Sequence, residues 1–152
     1  MLQALHTSKT QRGVAIIEFA IVLPVLLMLI MGTAEFGRAF LQYNELTKSL
    51  RDGSRYVAAK AVKGSTGVVL LNANVITQTR NLVTYGNIAG TGTPLLPGLV
   101  PGNVTVVAGA PGSVVVSAAY SYVPLFASLS LFQFGSLGMV RMFSAAVTMR
   151  AL

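Results

Sequence analysis

The chain has 152 residues and no cysteine, which rules out disulfide staples and thiolate metal sites and leaves room for one domain, or for a small domain with an anchor. Its formal charge of +7 is unevenly spread: all four acids (Glu18, Glu35, Glu45 and Asp52) fall in the first 52 residues. From Asn81 to Val140 there are 60 residues without Lys, Arg, Asp or Glu, which excludes paired-acid hydrolysis, carboxylate metal sites and a basic nucleic-acid footprint from that stretch.

Taken in order, residues 1–12 (MLQALHTSKTQR) form a short polar leader with Lys9 and Arg12 but no acid, and no fold is assigned to them. The single histidine, His6, lies there without ligand partners, so neither a Ser/His or Cys/His pair nor a zinc site can be built. Gly13 to Thr33 reads GVAIIEFAIVLPVLLMLIMGT, and Glu18 is its only charge. A bilayer core takes about 20 mainly apolar residues in helical form, and this run supplies them without a polar face. It reads as membrane-inserting. A carboxylate inside such a run costs a few kcal/mol, so Glu18 is either paired for a purpose or reaches out to the headgroups. Pro24 falls inside the same helix, where it removes one hydrogen bond and loosens or kinks a turn.

A short basic leader, a glycine, four residues and then Glu-Phe opening a hydrophobic helix resembles the type IV prepilin arrangement. Gly13, Val14, Ala15, Ile16, Ile17, Glu18 and Phe19 fill it without a gap. The continuation is similar to TadE-like pseudopilins of the tight-adherence (Tad) pilus, carried by Glu18-Phe19-Ala20, Pro24, Gly32 and Glu35-Phe36-Gly37-Arg38. The resemblance implies that prepilin peptidase cuts between Gly13 and Val14 at the cytoplasmic face. Glycine suits a scissile bond that must lie extended. The new amine at Val14 would then be neutralised by Glu18, most naturally that of a neighbouring subunit, and the pair would set register between helices. The implied partners are prepilin peptidase, other pilin and pseudopilin subunits, the inner-membrane assembly platform and membrane lipid, with no cofactor, nucleic acid or small-molecule substrate. The short leader and long C-terminal region favour an inner-membrane single span with the N-terminus inside and the C-terminus outside.

Beyond Gly32 the helical pattern continues. Phe36, Phe40, Tyr43, Leu46, Leu50, Val57 and Ala61 draw one apolar stripe, which predicts a helix to about Val62 with Gly53 as a weak point. Glu35–Arg38, Glu45–Lys48 and Asp52–Arg55 have the spacing of opposite-sign pairs, and Arg51, Arg55, Lys60 and Lys63 read as a solvated face. Ser65 or Thr66 predicts the N-cap of a second helix over Val68–Tyr85, with Gly86 as its C-cap. Lys63-Gly64-Ser65-Thr66 lacks the glycine spacing of a phosphate loop. Asn87 to Gly102 is a Gly/Pro-rich loop whose Leu95, Leu96, Leu99 and Val100 cover a core or meet a partner.

Val104–Ala108 and Ser113–Val123 predict two strands joined by a Gly109-Ala110-Pro111-Gly112 turn, with Val114, Val116, Ala118, Tyr120 and Tyr122 on one face. Asn103-Val104-Thr105 matches a glycosylation sequon by composition alone. Leu125–Gly138 is apolar but interrupted, and reads as a partner-facing or core-covering connection rather than a second span. Met139–Met149 predicts a last strand, and its Ala145–Arg150 ending again resembles TadE-like proteins.

The expected fold class is α+β and membrane-anchored: a long N-terminal transmembrane and stalk helix packed on a small head with a second helix and an antiparallel sheet, pilin-like. The expected division is a leader at 1–13, a transmembrane helix at 14–34, a helical stalk at 35–63 and a head at 64–152. The expected function is a pseudopilin or minor pilin subunit for assembly of a Tad-type (type IVb) adhesion pilus, and not an enzyme. Two alternatives stand beside it: an uncleaved, signal-anchored periplasmic interaction protein, and a Sec-secreted protein cut after Ala34, where Gly32-Thr33-Ala34 has the small-x-small pattern.

Overall fold

The computed structural model describes residues 10–63, 69–125 and 142–151, and divides into two compact units, Met1–Gly37 and Arg38–Leu152. The backbone of both is entered by one helix, α1, over Thr10–Lys60. In the first unit α1 is the whole described structure. Its apolar side chains face outward, with Val14, Ile16, Ile21 and Ile30 each between 64% and 70% exposed. The helix is unbroken through Pro24, although that residue has no N–H to give the carbonyl of Ala20.

In the second unit α1 buries Leu46, Leu50 and Val57, with Gly53 between them and Ala61 just past the helix end, a sequence of steps of three and four that keeps one face inward. Two polar residues on that face are internally satisfied: Ser49 Oγ donates to the Leu46 carbonyl at 2.9 Å and Ser54 Oγ to that of Leu50 at 2.7 Å. The predicted stripe is therefore buried only in its later part. Phe36 is 77% and Phe40 59% exposed, because the core of the second unit covers α1 from Leu46 onward. The opposite-sign spacings also need correcting: among the described residues Glu45, Lys48, Asp52 and Arg55 form no ion pair. Exposed pairs of long side chains gain too little to hold one geometry.

α1 ends at Lys60, and Val62–Lys63 (β1) pairs antiparallel with Val69–Leu70 (β2), Val62 opposite Leu70. The second helix, α2, covers Ala73–Tyr85 rather than beginning at Val68, because the apolar residues 69 and 70 are taken by the ladder. Its N-cap is Asn72, whose Oδ1 accepts from Asn74 N at 2.9 Å. Ser65 and Thr66, the expected caps, lie outside the described residues. The C-terminus is as expected: Gly86 takes φ 74°, open to a residue without Cβ, and its N–H bonds the Leu82 carbonyl.

α2 crosses α1 closely. A Cβ at Gly53 would lie 2.5 Å from Val83 Cγ2 and 3.4 Å from Thr79 Cγ2. The glycine that looked like a weak point in the helix is the place where a second helix needs the space.

The loop after α2 is held by Asn87, whose Oδ1 accepts from the N–H groups of Gly90 and Thr91 while its amide donates to the Thr91 carbonyl at 2.8 Å. Leu96 and Leu99 from this loop are buried in the core, so it covers the core as one of its two expected roles. A short 3-10 turn, Pro101–Asn103, leads into the sheet.

The sheet runs in the order β3 (Val104–Ala108), β4 (Ser113–Ser121), β5 (Met142–Arg150), antiparallel throughout. The hairpin between β3 and β4 closes with Val106 opposite Val116, and Gly112 supplies the left-handed turn residue at φ 76°. Val114, Val116, Ala118 and Tyr120 of β4, and Tyr122 just beyond it, all face the core, while Ala119 and Ser121 face out. The connection expected over Leu125–Gly138 lies, beyond Leu125, outside the described residues. The fold is thus α+β, with one helix capable of crossing a membrane, a second helix and a three-stranded antiparallel sheet.

Candidate assembly helix

A helix built from residues 14–33 has no choice about its surface: with one charged side chain in 20 residues, every face is apolar. Nothing within its own unit covers that surface. The most apolar 18-residue window has a mean hydropathy of 2.8 and is wholly unburied. Phe19 is 58% exposed, Leu29 63% and Val25 57%. In water this surface would drive aggregation, so its solvent is either lipid or other helices.

Gly13 and Val14 lie in α1, whose described part begins at Thr10. Val14 is 66% exposed, and a Cβ at Gly13 would meet nothing within 4 Å. The bond between them is helical. Glu18 stands four residues after Val14, one turn up the same face, and is exposed among apolar neighbours. Side chains at this spacing are neighbours on one face of the helix. The structure brings Gly13, Val14, Glu18 and Phe19 onto two consecutive turns, and Pro24 onto a later one. Thr33, at the far end of the apolar run, returns its hydroxyl to the Leu29 carbonyl at 2.8 Å and so adds no free polar group.

The C-terminal unit carries a second cluster that sequence reasoning did not assemble. The Tyr120 hydroxyl shares its proton between Gln42 Oε1 at 2.9 Å and the Pro97 carbonyl at 3.1 Å, tying β4 to α1 and to the core-covering loop. Phe143 of β5 lies with its ring centre 5.8 Å from that of Tyr43, 6.4 Å from Tyr120 and 5.7 Å from Tyr122. The Arg38 guanidinium sits 5.8 Å from the centre of the Tyr122 ring. Burial raises the pKa of the Tyr120 hydroxyl above the ordinary 10.0, and the positive charge of Arg38 partly opposes this. The inward alternation of β4 pointed to Tyr120 and Tyr122, but Gln42 is one polar residue on a helix and carries no signal by itself. These groups pack and hydrogen-bond; none is placed as a nucleophile beside a base. Among the described residues no three metal-ligating side chains come together.

Residues 13–55 match the family model described as TadE-like protein. The match begins at Gly13 and ends at Arg55 in α1, so it takes in Glu18, Phe19 and Pro24 together with the first turns that pack into the C-terminal unit. No curated protein and no solved structure matches the chain.

Proposed function

We propose that this chain, TadE-like over residues 13–55, is a pilin-like subunit used in assembling a Tad-type adhesion pilus. The observation that carries the proposal is the coincidence of that match with an apolar helix whose whole surface is outward-facing. In this reading residues 1–13 are a leader removed by prepilin peptidase. Residues 14–34 hold the subunit in the inner membrane with the C-terminus outside, and then pack among the helices of other pilin and pseudopilin subunits at the assembly platform. Residues 35–63 are a stalk and 64–152 a head. The amine freed at Val14 pairs with Glu18, one pair replacing two isolated charges in a medium where each alone is costly.

The bonds after Gly13 and after Ala34 both lie within α1. Ala34 lies mid-helix, with more than 20 helical residues on each side, so cutting after it requires opening a helix interior. The uncleaved anchor is the second reading, and it draws on the same helix: α1 includes the Gly13–Val14 bond.

The test is complementation in cells lacking this chain, with surface pili recovered by shearing. The wild-type chain is expected to restore pili. Glu18→Ala is expected to leave the chain in the membrane fraction while reducing sheared pili at least tenfold. Normal piliation without the chain would refute the proposed function, and full restoration by Glu18→Ala would remove the register role from Glu18.

A further inference from the structure

We propose that a second copy of this chain joins at the outer edge of β5, the two β5 strands pairing antiparallel about Ala146 so that two three-stranded sheets become one. The inference stands on the sheet alone and holds for any role of residues 14–33. One step beyond the opposed residues Ser113 and Arg150, the Ala151 N–H donates to the Gly112 carbonyl at 2.8 Å. In an antiparallel pair such bonded positions alternate with unbonded ones. Phe143, Ala145, Val147 and Met149 therefore give their backbone groups to β4, while those of Met142, Ser144, Ala146, Thr148 and Arg150 point away from it. On the other side of β4 the Gly109 N–H donates to the Ser113 carbonyl at 3.0 Å, which gives the same alternation independently. Among the described residues no strand lies beyond β5 to take these groups, and Ser144, Ala146, Thr148 and Arg150 are exposed.

A row of free N–H and C=O groups is matched by another extended backbone. Edges that stay single are short, or carry Lys, Pro or a bulge. The opposite edge, β3, has five residues and packs against α2. β5 has nine in unbroken register, with no Lys, Pro or acid, and its one charge is Arg150 at the last position. The occupant is a second copy because the strand is complementary to itself. Centred on Ala146, the register sets Ser144 opposite Thr148 of the partner subunit and Met142 opposite the partner subunit's Arg150. Hydroxyl faces hydroxyl, and the two arginines fall at opposite ends of the ladder, where they do not repel. Every outward backbone group meets another outward one in this register, and a two-fold contact of this kind closes on itself.

The chain has no cysteine, so single-cysteine variants of the full chain in detergent report one position each. Opposed Cα atoms of a bonded pair lie about 5.5 Å apart, within reach of a disulfide. Two cysteines at 146 would be opposed in this way, whereas two at 148 would be offset by four residues, about 14 Å. Under mild oxidation Ala146→Cys is expected to give at least fivefold more disulfide-linked dimer than Thr148→Cys. Mixing Ser144→Cys chains with Thr148→Cys chains should restore linking to the level seen at 146. Linking at 148 alone equal to that at 146 overturns the register and the proposal with it. Linking of Val107→Cys, on the exposed side of β3, above that at 146 moves the contact to the other edge and overturns it too. Absence of linked dimer in every variant and mixture leaves the edge to the same chain or to a different protein, and overturns the second copy.

Discussion

Gly53 and Gly37 sit in the same helix and should respond in opposite directions to the same change. Alanine is the better helix former by about 1 kcal/mol in a helix interior. At Gly37 a Cβ meets nothing within 4 Å, so Gly37→Ala should stabilise slightly or be neutral. At Gly53 it would press on Val83 Cγ2, the stiff β-branched end of a fully buried residue. Overpacking of that kind costs about 1–3 kcal/mol, which outweighs the propensity gain. Thermal unfolding of the full chain in detergent should therefore show a lower midpoint for Gly53→Ala and an equal or higher one for Gly37→Ala. Tyr120 gives a second residue-level expectation. Tyr120→Phe removes the hydroxyl that joins Gln42 and the Pro97 carbonyl, at a cost of about 1–2 kcal/mol. The native hydroxyl has its pKa raised on folding, so its contribution is whole below the unfolded value near 10.0 and is lost as pH rises through the folded one. Stability measured above pH 10 should accordingly fall less steeply in Tyr120→Phe than in the wild type.

Among the elements, what could be read early was what local chemistry decides. Alternation in Ser113–Ser121 put Val114, Val116, Ala118 and Tyr120 on the core face, and the turn glycine at 112 fixed where the hairpin closes. Gly86 marked the end of α2 because a left-handed cap favours a residue without Cβ. The start of α2 at Ala73, later than its apolar pattern predicts, has an equally physical reason. Residues 69 and 70 join a two-residue ladder with 62 and 63, a pairing between segments that no single window contains, and Asn72 then takes the capping role. The stripe on α1 shows the same division. Periodicity gave the correct face, but which turns of that face are covered depends on where the sheet and the core-covering loop reach. Leu50, in the covered part and fully buried, should be among the costly truncations: Leu50→Ala is expected to destabilise by about 2–5 kcal/mol, read from denaturant unfolding. Phe40→Ala, in the uncovered part, should change that midpoint little.

At the scale of the whole molecule, two features belong together. One is an apolar helix with every face outward, TadE-like in sequence; the other is a unit with its own core and a 60-residue stretch that carries no charge. A free soluble domain usually shows a surface rich in charge, and its near absence over much of this chain suits a subunit that meets other subunits. The candidate site is legible because a charge inside an apolar run makes Glu18 conspicuous, a proline within a helix marks Pro24, and the resemblance to prepilins marks Gly13, Val14 and Phe19. The aromatic contact around Phe143 is not, since it joins α1, β4 and β5 across about 100 residues of chain. The measurement that goes most directly to the central claim is the mass of the mature protein and its first residue, taken from membrane and sheared surface fractions. A chain beginning at Val14 in both fractions is the expected result. A chain beginning at Glu35 would contradict it in favour of secretion, and an intact Met1 in cells that have prepilin peptidase would contradict it in favour of a plain membrane anchor.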